Sequence, residues 1–124
     1  MTTLSLSQEL WKLGLRINTE KRWIEYKTQQ FSLYDRNTSP ARWSGQEYPA
    51  YSTDDLLEIL PNYIDPNLWL TIRKLYRTWE VGYMFSESWL NQIENVSLPE
   101  ALAKMTIWLL ENGYEFKDGR IEKR

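Results

Sequence analysis

The chain has no cysteine and no histidine, yet it carries seven Trp, eight Tyr and three Phe in 124 residues. Without thiols or imidazoles there is no disulfide and no Cys/His metal site to staple the fold, so stability has to come from one packed core. A mass of 14.9 kDa suits a single domain spanning residues 1–124, and a chain of that size can bury about two thirds of its unfolded surface. With 42% hydrophobic and 26% charged residues, the composition is that of a globular domain rather than a disordered chain. The two absences also remove the usual neutral-pH general base, the thiolate nucleophile and the transition-metal ligands. A non-enzymatic role with no cofactor is therefore the expectation.

No run of about 18 apolar residues is present to span a membrane, and the start Met1-Thr-Thr-Leu-Ser lacks the basic and apolar regions of a signal peptide. A cytoplasmic setting follows as an expectation, and Asn95-Val96-Ser97, which matches a glycosylation sequon, carries little weight without a secretion signal. Charge is segmented beneath a net value of −2. Residues 12–42 hold seven Lys/Arg against three acids, residues 43–72 hold five acids and no base, and Arg73, Lys74 and Arg77 form a short basic cluster. Such stripes either gather into steering patches or interleave on a solvated surface. A pI near 5.2 argues against bulk nucleic-acid binding.

Capping chemistry marks three helix starts, at Ser5-Leu6-Ser7-Gln8, Ser52-Thr53-Asp54-Asp55 and Ser97-Leu98-Pro99-Glu100. Each offers a hydroxyl for the N-cap and an acceptor side chain three residues on. Leu6, Leu10 and Leu13 form a stripe ending at Gly14, and Leu56, Leu57 and Leu60 form another stopped by Pro61. Ala101, Leu102, Met105, Trp108 and Leu109 follow the spacing of a core-facing helix that ends at Asn112-Gly113. Between these helices, Leu68–Arg73 and Trp79–Phe85 alternate as strands joined by a hairpin within 74–78, and 22–27 with 31–34 read as an earlier, weaker pair. Asn37, Pro40, Gly45 and Pro49 mark residues 35–50 as a long loop. The order α, β, β, loop, α, β, β, α predicts an α+β domain, with an antiparallel sheet of about four strands packed against two or three helices. The charged tail 114–124 is expected to fray, with Tyr114 and Phe116 available for a short edge strand.

Four blocks carry a resemblance: Ser7–Leu15 (Ser-Gln-Glu-Leu-Trp-Lys-Leu-Gly-Leu), Tyr48–Pro61, Trp79-Glu-Val-Gly-Tyr83 and Leu98–Tyr114. In this order they resemble a family of small uncharacterised proteins encoded by bacteriophages, prophages and related bacterial mobile elements. The blocks cover around half of the chain, and the most specific is the last helix, with Glu100-Ala-Leu-Ala-Lys followed by Trp108-Leu-Leu-Glu-Asn-Gly. Residues 16–47 depart from the family pattern, so nothing carried by that stretch transfers. The resemblance implies a bacterial cytosolic setting and an α+β fold. It supplies no activity, catalytic residue or ligand.

Catalytic readings are thin. Asp54, Asp55 and Glu58 on one short helix, with Asp65 beyond, are the acids best placed for hydrolytic or magnesium chemistry, but acids in a first turn also answer the helix dipole. The glycine-containing motif Arg42-Trp43-Ser44-Gly45-Gln46 fits neither a phosphate loop nor a dinucleotide fingerprint. The aromatic residues are the better lead. Trp11, Trp79, Tyr83, Phe85 and Trp108 fall on predicted core faces, whereas Trp69 shares a strand face with Thr71 and Arg73, opposite Leu68, Leu70 and Ile72. Either a second layer covers that face or Trp69 is exposed, and Trp43, Tyr48 and Tyr51 pose the same question near the loop. Trp69, Arg73, Trp43, Tyr48 and Tyr51 are thus the candidate partner-binding residues, since Trp, Tyr and Arg dominate binding hot spots. The expected function is stoichiometric protein–protein interaction, as a modulator of a host factor. The alternatives are a small-ligand or single-stranded nucleic-acid binder using the aromatic face and a homo-oligomeric structural component.

Overall fold

The computed structural model describes residues 1–27, 29–38, 45–64 and 67–124. Twelve elements follow along the described chain: α1 (Leu4–Lys12), β1 (Lys21–Lys27), β2 (Gln30–Asp35), β3 (Glu47–Ala50), α2 (Thr53–Ile59), β4 (Tyr63–Ile64), β5 (Leu68–Lys74), β6 (Trp79–Phe85), β7 (Ser88–Asn95), α3 (Leu98–Glu111), β8 (Tyr114–Lys117) and β9 (Arg120–Lys123). All strand pairings are antiparallel, in sheets ordered β2-β1-β3, β4-β5-β6-β7 and β8-β9. The α+β class is as expected. The strands are more numerous than the expected four, and they fall into three sheets.

Helix boundaries follow from local donors and acceptors. The Ser52 hydroxyl accepts from Asp55 N–H and the Asp55 carboxylate accepts from Ser52 N–H, a complete capping box at the start of α2. At α3 the Ser97 hydroxyl accepts from Glu100 N–H, but Ser97 N–H donates to Asn95 Oδ1 at 2.9 Å, so an upstream Asn takes the return role expected of Glu100. The cap of α1 is Thr3, not Ser5: its Oγ1 accepts from Leu6 N–H, while Ser7 is buried with its hydroxyl 2.7 Å from that of Thr2.

The core gathers Leu10, Leu56, Leu102, Met105 and Leu109 from the helices and Val81 and Tyr83 from β6, all fully buried. Leu68, Leu70 and Ile72 of β5 and Ile93 of β7 pack against this cluster, which places the inner face of the four-stranded sheet on the helices. α3 touches β6, β7 and β8 as well as α1 and α2, and α1 reaches the first sheet through β3. Burying this apolar area supplies the driving force, at about 25 cal/mol per Å².

Four expectations are corrected by the structure. β3 lies inside the stretch read as loop, where Pro49 is tolerated because β3 is an edge strand paired only with β1. The 114–124 tail is not frayed: Asp118 and Gly119 both take positive φ in a two-residue turn, Ile121 is buried, and Arg124 N–H donates to Gly113 C=O. Phe85, expected in the core, is 55% exposed at the end of β6. β7 adds a strand where none was expected, and a bulge explains why. Between Val81 and Tyr83 of β6 lies one residue, whereas between their partners Ile93 and Leu90 lie two, with Asn91 at φ 55°. The extra residue spaces Leu90 and Ile93 by three and breaks the period-2 signature.

Candidate functional site

The outer face of the four-stranded sheet is built by the alternate residues of the strands whose other side forms the core. In β5 those residues are Trp69, Thr71 and Arg73. Cross-strand register sets Tyr63 opposite Trp69, Trp69 opposite Met84, and Met84 opposite Trp89, so one row crosses four strands. Its exposed end is Tyr63 and Trp69, 56% and 55% accessible, with ring centroids 5.2 Å apart and planes tilted by 49°. This tilted pairing suits the quadrupoles of the two rings and restrains both without burying either.

A polar cluster adjoins the row. Arg73 Nε and Nη2 donate to Glu80 Oε1 at 3.2 and 2.9 Å, and Gln92 Nε2 donates to Glu80 Oε2. Glu80 is only 5% exposed, whereas about half of the Arg73 side chain is open to solvent. The buried carboxylate has its charge answered, as burial demands. The Arg73 guanidinium also sits 5.0 Å from the Trp89 ring centre. Trp89 in turn lies against Gly82, where a Cβ would come within 2.6 Å of the indole. Glycine at this position lets the indole approach the sheet backbone.

The site is therefore a pre-ordered surface whose donors and rings are held in place by each other. Of the basic cluster, Arg73 stands on this face, whereas Lys74 falls in the inner-face phase of β5, 4.8 Å from the ring centre of its cross-strand neighbour Trp79, and Arg77 lies 5.4 Å from that of Tyr76 in the β5–β6 turn. Among the described residues no group of three or more acidic side chains could hold a metal ion. Asp55 is committed to the α2 cap, and Asp65 lies outside the described residues.

Of the candidates from sequence, the structure brings Trp69 and Arg73 together on this face. Tyr48 stands elsewhere, on β3, half-buried with its ring 5.9 Å from that of Phe31. Tyr51 has to be removed from the candidates: it is 0% exposed, its hydroxyl donates to Leu15 C=O at 3.0 Å, and its N–H donates to Thr2 Oγ1. Burial raises its phenol pKa well above the usual range, Arg16 opposing the shift and Asp55 adding to it. Trp43 lies outside the described residues. Tyr63, Trp89 and Gln92 were missed because only register across strands brings them to Trp69 and Arg73.

Fold and site together define a class, a small α+β domain that presents an aromatic antiparallel-sheet face. Comparison of the chain with protein families, with curated proteins and with solved structures finds no match. Among the described residues no helix is long and apolar enough to cross a membrane.

Proposed function

We propose that this protein acts without catalysis, by binding another protein through the outer sheet face centred on Trp69. The observation that carries the reading is the presence on one sheet face of two half-exposed, mutually ordered aromatic rings and an arginine already fixed by a buried carboxylate. Trp, Tyr and Arg are the residues on which binding energy concentrates, and side chains ordered before association lose less entropy on docking. Arg77, in the β5–β6 turn at the Arg73 end of the face, favours a partner with acidic groups there. The resemblance of residues 98–114 to proteins of phages and mobile elements supports a host or phage protein as the partner, met in the bacterial cytoplasm, with modulation of a host factor as the outcome.

The test is capture from host lysate with a C-terminal tag, since Thr2 at the other end is buried. It is run in parallel with the Trp69→Ala/Tyr63→Ala protein, and intact complexes are weighed by native mass spectrometry. A stoichiometric partner lost with the double variant is the expected result. A partner retained by the variant, or none with either protein, overturns the reading.

One observation favours a second reading: Arg77 borders the exposed Tyr76 ring in the turn of an antiparallel sheet whose outer face exposes Trp69 and Tyr63, an arrangement on which single-stranded nucleic acid can stack. Oligonucleotides that quench Trp69 fluorescence at moderate salt would select it over the first.

A further inference from the structure

A separate groove lies between the end of α1 and the three-stranded sheet, about 280 Å³ in volume. We propose that it binds a small organic anion, an apolar or aromatic body bearing one carboxylate or phosphate. The volume is near the lower end of small-molecule sites.

The groove is built from a rigid frame. After α1, Gly14 at φ 98° reverses the chain and Arg16 turns back to donate to Trp11 C=O, its guanidinium 3.5 Å from the Trp11 ring centre. On the sheet side, Arg22 of β1 pairs with Glu47 of β3 at 2.7 Å and donates to the carbonyls of Arg36 and Thr38 at 3.0 and 2.9 Å. One arginine thus ties β1, β3 and the segment after β2 around the same depression.

The polar groups left over determine what can bind. Arg22 and Glu47 already answer each other's charge, but the buried Arg22 Nε–H has no hydrogen-bond partner among the described residues and is left to the groove. The Arg36 guanidinium, by contrast, has no ion pair or hydrogen bond among the described residues, and neither does the Asn18 side-chain amide. Both line the groove, together with the apolar surfaces of Trp11, Ile17 and Pro49. Two guanidinium groups against one carboxylate make this groove locally positive in a chain of net charge −2. A single carboxylate cannot hold a divalent cation, which needs several oxygen ligands, and one guanidinium unpaired among the described residues matches one anionic group rather than a polyphosphate. Apolar walls beside that guanidinium, the Arg22 Nε–H and the Asn18 amide therefore suit an anion with one charged group and a hydrophobic body.

The test is an NMR titration of the intact chain with three probes: 2-naphthoate, its neutral analogue 2-naphthalenemethanol, and inorganic phosphate. The expected result is saturable 2-naphthoate binding that shifts the Trp11 indole and Asn18 amide signals, with the neutral analogue and phosphate each weaker by about tenfold or more. Arg36→Gln alters an exposed side chain, so its spectrum should otherwise match the parent, with 2-naphthoate affinity down about tenfold. Equal affinity for the neutral probe or for phosphate overturns the proposal. Unchanged binding in Arg36→Gln, or shifts confined to the Trp69 face, does the same.

Discussion

The two faces of the four-stranded sheet are made from the same strands and solve opposite problems. On the inner face, Leu70, Ile72, Val81 and Tyr83 join the buried core that α3 covers. On the outer face, Trp69, Thr71 and Arg73 come from the same seven residues of β5, yet among the described residues no helix closes over them. A sheet face turned to water usually carries small polar and charged residues, the hydrophobic-in, polar-out alternation. Here the outward positions hold Tyr63, Trp69, Met84 and Trp89 in one row, so what sets this face apart is large apolar surface left where folding does not require it. The polar groups beside the row are paired with one another, which leaves the rings as the part of the face free to engage a partner.

If the faces differ in this way, truncation inside should be far costlier than truncation outside. Leu109 of α3 is fully buried in the core that meets the inner face. Leu109→Ala is expected to lower unfolding free energy by about 3 kcal/mol, through lost transfer energy and a residual cavity. Denaturant melts would contradict the assignment of faces if the loss were below about 1 kcal/mol.

A second, smaller effect is read through pH. Burial raises the Tyr83 phenol well above its ordinary pKa of 10.0, with Tyr114 adding to the shift, and the hydroxyl donates to Pro61 C=O at 2.8 Å. Tyr51 shifts in the same direction, from the same starting value. A folded pKa above the unfolded one means the contribution to stability is complete below about pH 10 and falls as pH rises beyond it. Alkaline unfolding should therefore begin near pH 10, with these two phenolates absorbing only as the chain unfolds. Below that, the absence of histidine leaves no unperturbed side chain to titrate between about pH 5 and 8. Early phenolate absorbance with the fold intact would place Tyr51 and Tyr83 nearer water than the structure does.

Gly82 tests the outer face itself. Gly82→Ala puts a methyl where the Trp89 indole lies, so the ring must lift and its contact with Arg73 must change. Because the ring can move into open solvent, a loss of about 1–2 kcal/mol is expected rather than failure to fold. A change in the Trp89 indole signal should accompany it, and a neutral variant with that signal unmoved would contradict the close approach of the indole to Gly82.

How far these faces were legible in the sequence depended on whether the deciding information was local. α3 was readable because its cap at Ser97, its apolar spacing and its stop at Gly113 all lie within one segment. The start of α1 was not, because Thr3, Ser5 and Ser7 offer the same hydroxyl two residues apart and only the buried contact of Ser7 with Thr2 separates them. Asp118-Gly119 was a readable hairpin turn whose signal was outweighed by the charge around it. In the site, Trp69 and Arg73 followed from alternation along β5 alone. Trp89 stayed hidden because the bulge at Asn91 masks the strand that carries it, and Tyr51 is buried by partners 36 and 49 residues away.

The smallest effect on stability should accompany the largest effect on binding. Trp69 and Tyr63 contact each other but are mostly open to water, so Trp69→Ala/Tyr63→Ala removes one aromatic pair and little burial. The expected destabilisation is under about 1 kcal/mol. A hot-spot tryptophan, by contrast, costs about 2 kcal/mol or more of binding energy when truncated, a loss of roughly thirtyfold in affinity. The two readouts must separate in this one protein: melts close to those of the parent, and partner capture abolished. A double variant that unfolds like a core truncation would mean that the outer rings belong to the fold and that the two faces differ less than their exposure indicates.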